Sequence, residues 1–217
     1  IFYSKNEIKV IANLDQYLEN LVLDSNIWHI GTGQSSDSLL LGDDYGTLTA
    51  LGKFGEKHKD ICIELKTKSS RTDWLKLNLP PNRVSTWSLN APTVAQKEEH
   101  LASTIEGRIE AAKKCSEFGR LIGFHIHPMV YFTTWKEEYG KLVKTLCVNF
   151  DPTKVVMIGM GTLTFTKSNL RTLREGRRPT RVTQMPLQII AGKYSYSFET
   201  KKQMFSHVFN SSHANSL

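Results

Sequence analysis

The strongest constraint on this chain is that its strand-like segments carry polar residues where a buried sheet is ordinarily apolar. Ile27-Trp28-His29-Ile30 runs into Gly31-Thr32-Gly33-Gln34-Ser35-Ser36-Asp37. Cys62 to Lys68, Val84 to Asn90, Gly123 to Pro128 and Val155 to Gly161 follow, separated by helix-like stretches. Strands that alternate with helices predict β-α units, hence a parallel sheet or barrel. Side chains alternate faces along a strand. Ile63, Leu65, Phe124 and Ile126 then face the helices, and Glu64, Lys66, Lys68, Thr86, Ser88, Asn90, His125 and His127 share the other face. A sealed eight-stranded barrel fills its interior with branched apolar side chains. A polar interior predicts a barrel that is open on one side, or wide enough to hold a ligand.

The 217 residues are enough to bury a sizeable core in one domain. We read 1–166 as the barrel and 167–217 as a C-terminal extension packed on it, holding a basic segment, a hairpin and a helix. No apolar run approaches the ~20 residues a membrane span needs. The start, Ile1-Phe2-Tyr3-Ser4-Lys5, lacks the basic-then-apolar pattern of a secretory signal, and Ile1 is not an initiator Met. Cys62, Cys115 and Cys147 are widely spaced, which predicts free thiols, a reducing cytoplasmic setting and no metal site made from them.

Between the strands, Asn13 caps an amphipathic helix with Leu14, Leu18 and Leu21 on one face. Gly46 to Lys57 predicts a helix despite Gly52 and Gly55, and Arg71 to Leu77 a short one ended by Pro80-Pro81. Thr104 to Glu117 is the clearest helix, with Ile105, Ile109, Ala112 and Cys115 on its apolar face and Gly119 as its stop. Thr134 to Leu146 is the next. Leu187 to Tyr196 predicts an extended pair or hairpin, and Glu199 to Phe209 a final helix.

Gly31 to Asp37 is a glycine-rich loop at a strand's C-terminal end, without the spacing or lysine of the standard nucleotide loops. Lys68 closes its strand as either a surface lysine or a partner for a ligand carboxylate. Ser88 and Asn90 add a hydroxyl and an amide at the same level, where barrel enzymes gather their chemistry. His125-x-His127 is a metal pair lacking an obvious third ligand, or two histidines lining a polar pocket. The net charge of +7 is concentrated late, where Arg171, Arg174, Arg177, Arg178 and Arg181 face only Glu175. That cluster fits phosphate contacts or a solvated basic surface.

Taken together, several stretches resemble the spore photoproduct lyase family of radical S-adenosylmethionine (SAM) enzymes. They are Gly33 to Ser38, Leu65 to Ser69, Trp87 to Asn90, Arg108 to Ala112, Gly123 to Pro128 and Trp135 to Tyr139, extended by Gly161 to Thr166 and Gly192 to Tyr196. The resemblance runs from about residue 8 to 209. It implies a partial, open (βα)6 TIM-like barrel whose first strand and Cys-x-x-x-Cys-x-x-Cys cluster loop precede the matched region. The expectation is therefore five core strands and a chain that is a fragment of, or the ordered part of, a longer protein.

The resemblance also implies roles. Lys68 matches the lysine that holds the SAM carboxylate, and Ser88 a serine near the same cofactor; Asn90 and Ser35 sit beside them. In the family a 4Fe-4S cluster reduces SAM to a radical that takes hydrogen from a thymine-dimer lesion in DNA, with flavodoxin or ferredoxin as the implied reductant. The cysteine that returns the hydrogen atom in bacterial members falls on Gln34, whose amide cannot act as a thiol. The chain thus looks like the lyase-like branch with Gly-Gln-Ser/Thr-Ser/Thr-Asp. Lys193 and Tyr194 match one strand of a hairpin that wedges into DNA at the lesion, which joins Arg177 and Arg178 in a DNA-contacting role, with His125 and His127 facing the substrate. A second reading is a hydrolase or isomerase in which His125 and His127 hold a metal or act as acid and base. A third is a nucleic-acid-binding module without chemistry.

Overall fold

The computed structural model describes residues 9–34, 36–176 and 180–214. Five strands form one all-parallel sheet in sequence order: β1 (His29–Thr32), β2 (Cys62–Thr67), β3 (Arg83–Leu89), β4 (Ile122–Met129) and β5 (Val155–Thr162). The helices of the crossovers are α2 (Thr47–Lys57), α3 (Pro92–Glu98), α4 (Ile105–Glu117) and α5 (Trp135–Asn149), and α1 (Leu14–Glu19) precedes the sheet. Adjacent order, with α-helices in three of the four crossovers and only a short 3-10 segment between β2 and β3, produces the open α/β half-barrel anticipated from the sequence.

The two faces separate as the alternation requires. Ile63, Leu65, Trp87, Leu89, Phe124 and Ile126 are buried under the helices. The apolar layer reaches the helices because α2 comes close. An added Cβ at Gly52 would lie 2.8 Å from Leu79, so that glycine is a contact surface rather than a helix breaker. Thr104 caps α4 by accepting from the Gly107 N–H at 3.1 Å, and Gly119 ends that helix at φ +81.

Three local expectations need correction. The first strand lies two residues later than the apolar run Ile27 to Ile30, because pairing with Cys62 begins at His29 and leaves Trp28 exposed. Arg71 to Leu77 is helical only over Asp73–Lys76, and there as a four-residue 3-10 helix. Here Arg71 is tied to Asp44 and Asp73 by charge-assisted bonds that hold the loop instead. The helices α3 and α6 (Lys167–Glu175) were not anticipated; α3 buries only Val94, and α6 only Leu170 and Leu173.

After β5 the chain builds a second, three-stranded antiparallel sheet from β6 (Thr164–Phe165), β7 (Gln188–Ile190) and β8 (Lys193–Ser195), in the order β6-β8-β7. β6 follows β5 directly, so this sheet stands at the C-terminal end of the barrel strands. β7 and β8 form the hairpin read from the sequence, joined by Ala191 and Gly192 with φ of 48 and 75. Positive φ at both turn residues matches the twist of a tight hairpin. α7 (Phe198–His213) closes the chain against α5, where the rings of His207 and Trp135 meet edge to face and His207 Nε2 lies 2.7 Å from the Lys136 carbonyl. No helix among the described residues is long and apolar enough to cross a membrane.

Candidate active site

The lumen holds two tiers of charged groups. The lower tier centres on Glu64, which is 3% exposed. Its Oε1 accepts from Thr86 Oγ1 at 2.7 Å and lies 2.5 Å from His125 Nε2 and 3.8 Å from Lys66 Nζ; Oε2 lies 3.4 Å from His29 Nε2. Burial alone would raise the Glu64 pKa. The hydrogen bonds with His125 and Thr86, and the electrostatic pull of His125 and Lys66, outweigh it and hold the group at about 2.

The histidines fit into this tier because β5 withdraws its side chains. A Cβ on Gly159 would lie 2.5 Å from His125 Nδ1, and one on Gly161 would lie 2.0 Å from His127 Cδ2. His125 therefore has one nitrogen on Glu64 and the other against β5. His127 sits nearer the mouth and keeps solvent access. Its pKa is held below the ordinary value, first by desolvation from the surrounding walls and then by His125, Lys66 and Lys68.

The upper tier lies at the C-terminal strand ends. Lys68 Nζ pairs with Glu99 Oε1 at 2.5 Å, and Arg108 Nη2 donates to Glu99 Oε2 at 2.7 Å. Arg108 is fully buried, and its remaining groups donate to the carbonyls of Ser88 and Ser103 at 2.8 Å each. Burial lowers the Lys68 pKa, against the pull of Glu99. Burial would raise the Glu99 pKa, but Lys68 and Arg108 lower it. Ser88 lies on the lumen face of β3, in register with His125, and its hydroxyl has no hydrogen-bond partner among the described residues.

Asn90 is 1% exposed and engaged on both ends. Its amide donates to the Pro128 carbonyl at 3.0 Å and to Glu99 at 3.4 Å, while its Oδ1 accepts from Tyr139 Oη at 2.6 Å. Asn90 thus stands behind Glu99 rather than at the open surface.

The glycine-rich loop is clamped to β2 by Asp37. Asp37 accepts from the Lys68 backbone N–H at 2.7 Å, from Thr67 Oγ1 at 2.6 Å and from the N–H groups of Leu39 and Leu40. Gly33, at φ +77, passes so near that a Cβ would be 2.5 Å from the Lys66 carbonyl. Gln34 is solvent-exposed at this mouth. Ser35, Arg177 and Arg178 lie outside the described residues. Lys193 is exposed on the hairpin and Tyr194 half-buried beside it.

Two of the neighbouring arginines have internal partners. Arg174 donates to the Thr183 carbonyl at 2.9 Å, and Arg171 pairs with Glu175 at 2.7 Å. The lumen thus carries Lys68, Ser88, His125 and His127 toward its C-terminal end, with Asn90 buried behind Glu99 and the hairpin beyond the β5 end. Sequence reasoning named Glu64 as lumen-facing but gave it no role, and it missed Glu99. The available signals were a carboxylate opposite two lumen histidines, and an acidic pair, Glu98-Glu99, in the segment between two strands.

The model of the family described as spore photoproduct lyase matches residues 9–210. A curated spore photoproduct lyase from Clostridium acetobutylicum is 38% identical over 58 residues, covering 27% of this chain and 17% of that protein. Among solved structures, a spore photoproduct lyase complexed with dinucleoside spore photoproduct superposes with a TM-score of 0.74 at 19% identity, covering 92% of this chain and 63% of that one. A double mutant of the lyase with bound AdoMet and dinucleoside spore photoproduct gives a TM-score of 0.71 at 20% identity, with the same coverage. This chain thus spans less than two thirds of those structures, and at such identity the likeness establishes the half-barrel fold. With a family model covering nearly all of its length, the chain belongs to the spore photoproduct lyase family.

Proposed function

We propose that this chain is the half-barrel of a radical-SAM enzyme that binds SAM at the upper tier of the lumen and acts on lesion-bearing DNA or a related substrate. The observation that carries the reading is the donor set at the strand ends: a partly accessible ammonium on Lys68, a carboxylate on Glu99 and an unpartnered hydroxyl on Ser88. That set complements the amino-acid end of SAM. Lys68 takes the carboxylate, Glu99 accepts from the ammonium, and Ser88 donates beside them. Arg108 holds Glu99 in place while Lys68 changes partner, and Asn90 supports the same carboxylate from below.

When bound, SAM together with a reduced iron–sulfur cluster supplies the one-electron chemistry that takes hydrogen from a substrate. The cluster does not fit the residues described. Cys62, Cys115 and Cys147 are free and not grouped, and among the described residues no three His, Cys, Asp or Glu side chains gather as a metal set. What this chain contributes is therefore binding and orientation. Glu64, His125 and His127 form a polar wall below the cofactor position, and the exposed Gln34 is an amide where a thiol donor stands in the bacterial lyases. The hairpin carrying Lys193 and Tyr194, with Arg177 and Arg178 in the neighbouring basic segment, supplies the DNA contacts, and a flavodoxin- or ferredoxin-type protein the electrons.

The test is SAM binding by titration calorimetry in the full-length protein. Lys68→Ala removes a charge-assisted contact worth ~1.5–3 kcal/mol, so affinity should fall at least tenfold. Unchanged affinity would reject Lys68 as the carboxylate partner.

A further inference from the structure

Past the end of β4 the chain runs through Val130 and Tyr131, and two tyrosine hydroxyls hold it there. The Val130 N–H donates to Tyr139 Oη at 2.8 Å, and the Tyr131 N–H donates to Tyr196 Oη at 3.0 Å. Tyr139 belongs to α5, and Tyr196 directly follows β8, the second strand of the hairpin. Both tyrosines are buried. Two N–H groups beyond the strand pairing are thereby satisfied, and the backbone of Tyr131 is tied to the end of the hairpin.

The Tyr131 ring continues this arrangement. Its centroid lies 5.6 Å from that of Trp135 and 6.4 Å from that of Tyr196, tilted against each by 39° and 60°. Tilted ring pairs at such distances attract one another. Trp135 and Tyr196 are 3% and 2% exposed, whereas Tyr131 is 41% exposed. Two buried rings therefore brace Tyr131 from within, and the aromatic surface it leaves open is held in place before any ligand arrives. Other exposed rings lie elsewhere. Trp28 precedes β1 and Phe118 follows α4, so both stand at the opposite end of the barrel strands. Tyr131 stands at the C-terminal ends, just past the lumen-facing His127, and is bonded to the residue that follows the exposed Lys193 strand.

A nucleobase presents a π-face whatever its identity, and an aromatic side chain fixed beforehand binds it at a smaller ordering cost. We propose that Tyr131 is a stacking platform for one unstacked nucleobase of a bound DNA strand at the mouth of the lumen. The inference rests on the DNA-binding part of the function proposed above, and it adds a contact from the β4 end, outside both the hairpin and the basic segment.

The experiment titrates the full-length protein into a short single-stranded oligothymidylate carrying one central 2-aminopurine, whose fluorescence falls when the base stacks on a ring. Anisotropy of a dye at the strand end reads affinity in the same titration. Wild type should bind and quench. Tyr131→Phe keeps the ring and should match it. Tyr131→Leu keeps an apolar side chain and the backbone bond to Tyr196, but should lose the quenching and bind at least about fivefold more weakly. Its salt dependence should keep the wild-type slope, because no phosphate contact is removed. Wild-type binding without quenching, a Tyr131→Leu protein that quenches like wild type, or a flattened slope in that variant would overturn the platform and leave the DNA-binding reading standing. A wild type that does not bind the strand would overturn both.

Discussion

Glu64 on β2 and His125 on β4 meet across the lumen at 2.5 Å, spanning the strand that lies between them. β3 is not bypassed, since Thr86 donates to the same carboxylate oxygen. One buried carboxylate thus ties the central three strands together on their open side, where no helix covers them.

The depressed Glu64 pKa fixes the sign of a pH effect. The group titrates near 4.5 when unperturbed and at about 2 in the fold. Its stabilising contribution is therefore complete above pH 4.5 and is lost as pH falls through 2. Denaturant unfolding at pH 6 and pH 3 should show wild type losing more stability between the two than Glu64→Gln does. An equal loss in both proteins would mean that the carboxylate is not held ionised by its partners.

In the upper tier the order of two substitutions is diagnostic. Glu99→Gln leaves Lys68 and the fully buried Arg108 facing a neutral amide, which should cost ~3–5 kcal/mol in urea unfolding. Lys68→Met leaves the Arg108–Glu99 pair intact and should cost less, about 1–2 kcal/mol. The reverse order would make Lys68, rather than Arg108, the principal partner of Glu99.

Gly161→Ala should displace His127 without unfolding the barrel. The new methyl falls on the imidazole ring, which can rotate toward the mouth, so the expected stability cost is about 1 kcal/mol. The imidazole resonances of His127 should move in an NMR titration while those of His207, on α7, stay fixed. Unmoved His127 signals would contradict the close packing of ring on strand.

DNA binding should fall steeply with salt as counterions are released. Replacing Arg177 and Arg178 with Ala should flatten the slope by about two units if each meets one phosphate. Tyr194→Ala should weaken binding to lesion-bearing duplex more than to intact duplex, since stacking needs an unstacked base. Equal binding of both duplexes by wild type and variant would favour a small-molecule substrate.

Much of this architecture was legible because alternation is a strong signal. Ile63, Leu65, Phe124 and Ile126 against Glu64, Lys66, His125 and His127 assigned both faces before any geometry was known. α3 escaped notice because its burial rests mainly on Val94, and α6 because it buries only Leu170 and Leu173. Glu99 was invisible for a different reason. It lies beyond a helix end, and its partners Lys68 and Arg108 come from crossovers that no periodicity connects. Gly159 and Gly161 stood in a strand reading as apolar filler, whereas their missing side chains are what admit the two imidazoles.

Glu98 and Glu99 are consecutive, yet they point to different parts of the molecule. Glu99 grips Lys68 and Arg108 inside the lumen, whereas Glu98 accepts from Thr180 Oγ1 and from the Arg181 backbone N–H in the arginine-rich segment. A single peptide unit therefore joins the Lys68 end of the lumen to the Thr180–Arg181 segment outside it. A ligand that took Lys68 from Glu99 would thus act on the residue next to the one that anchors Thr180 and Arg181.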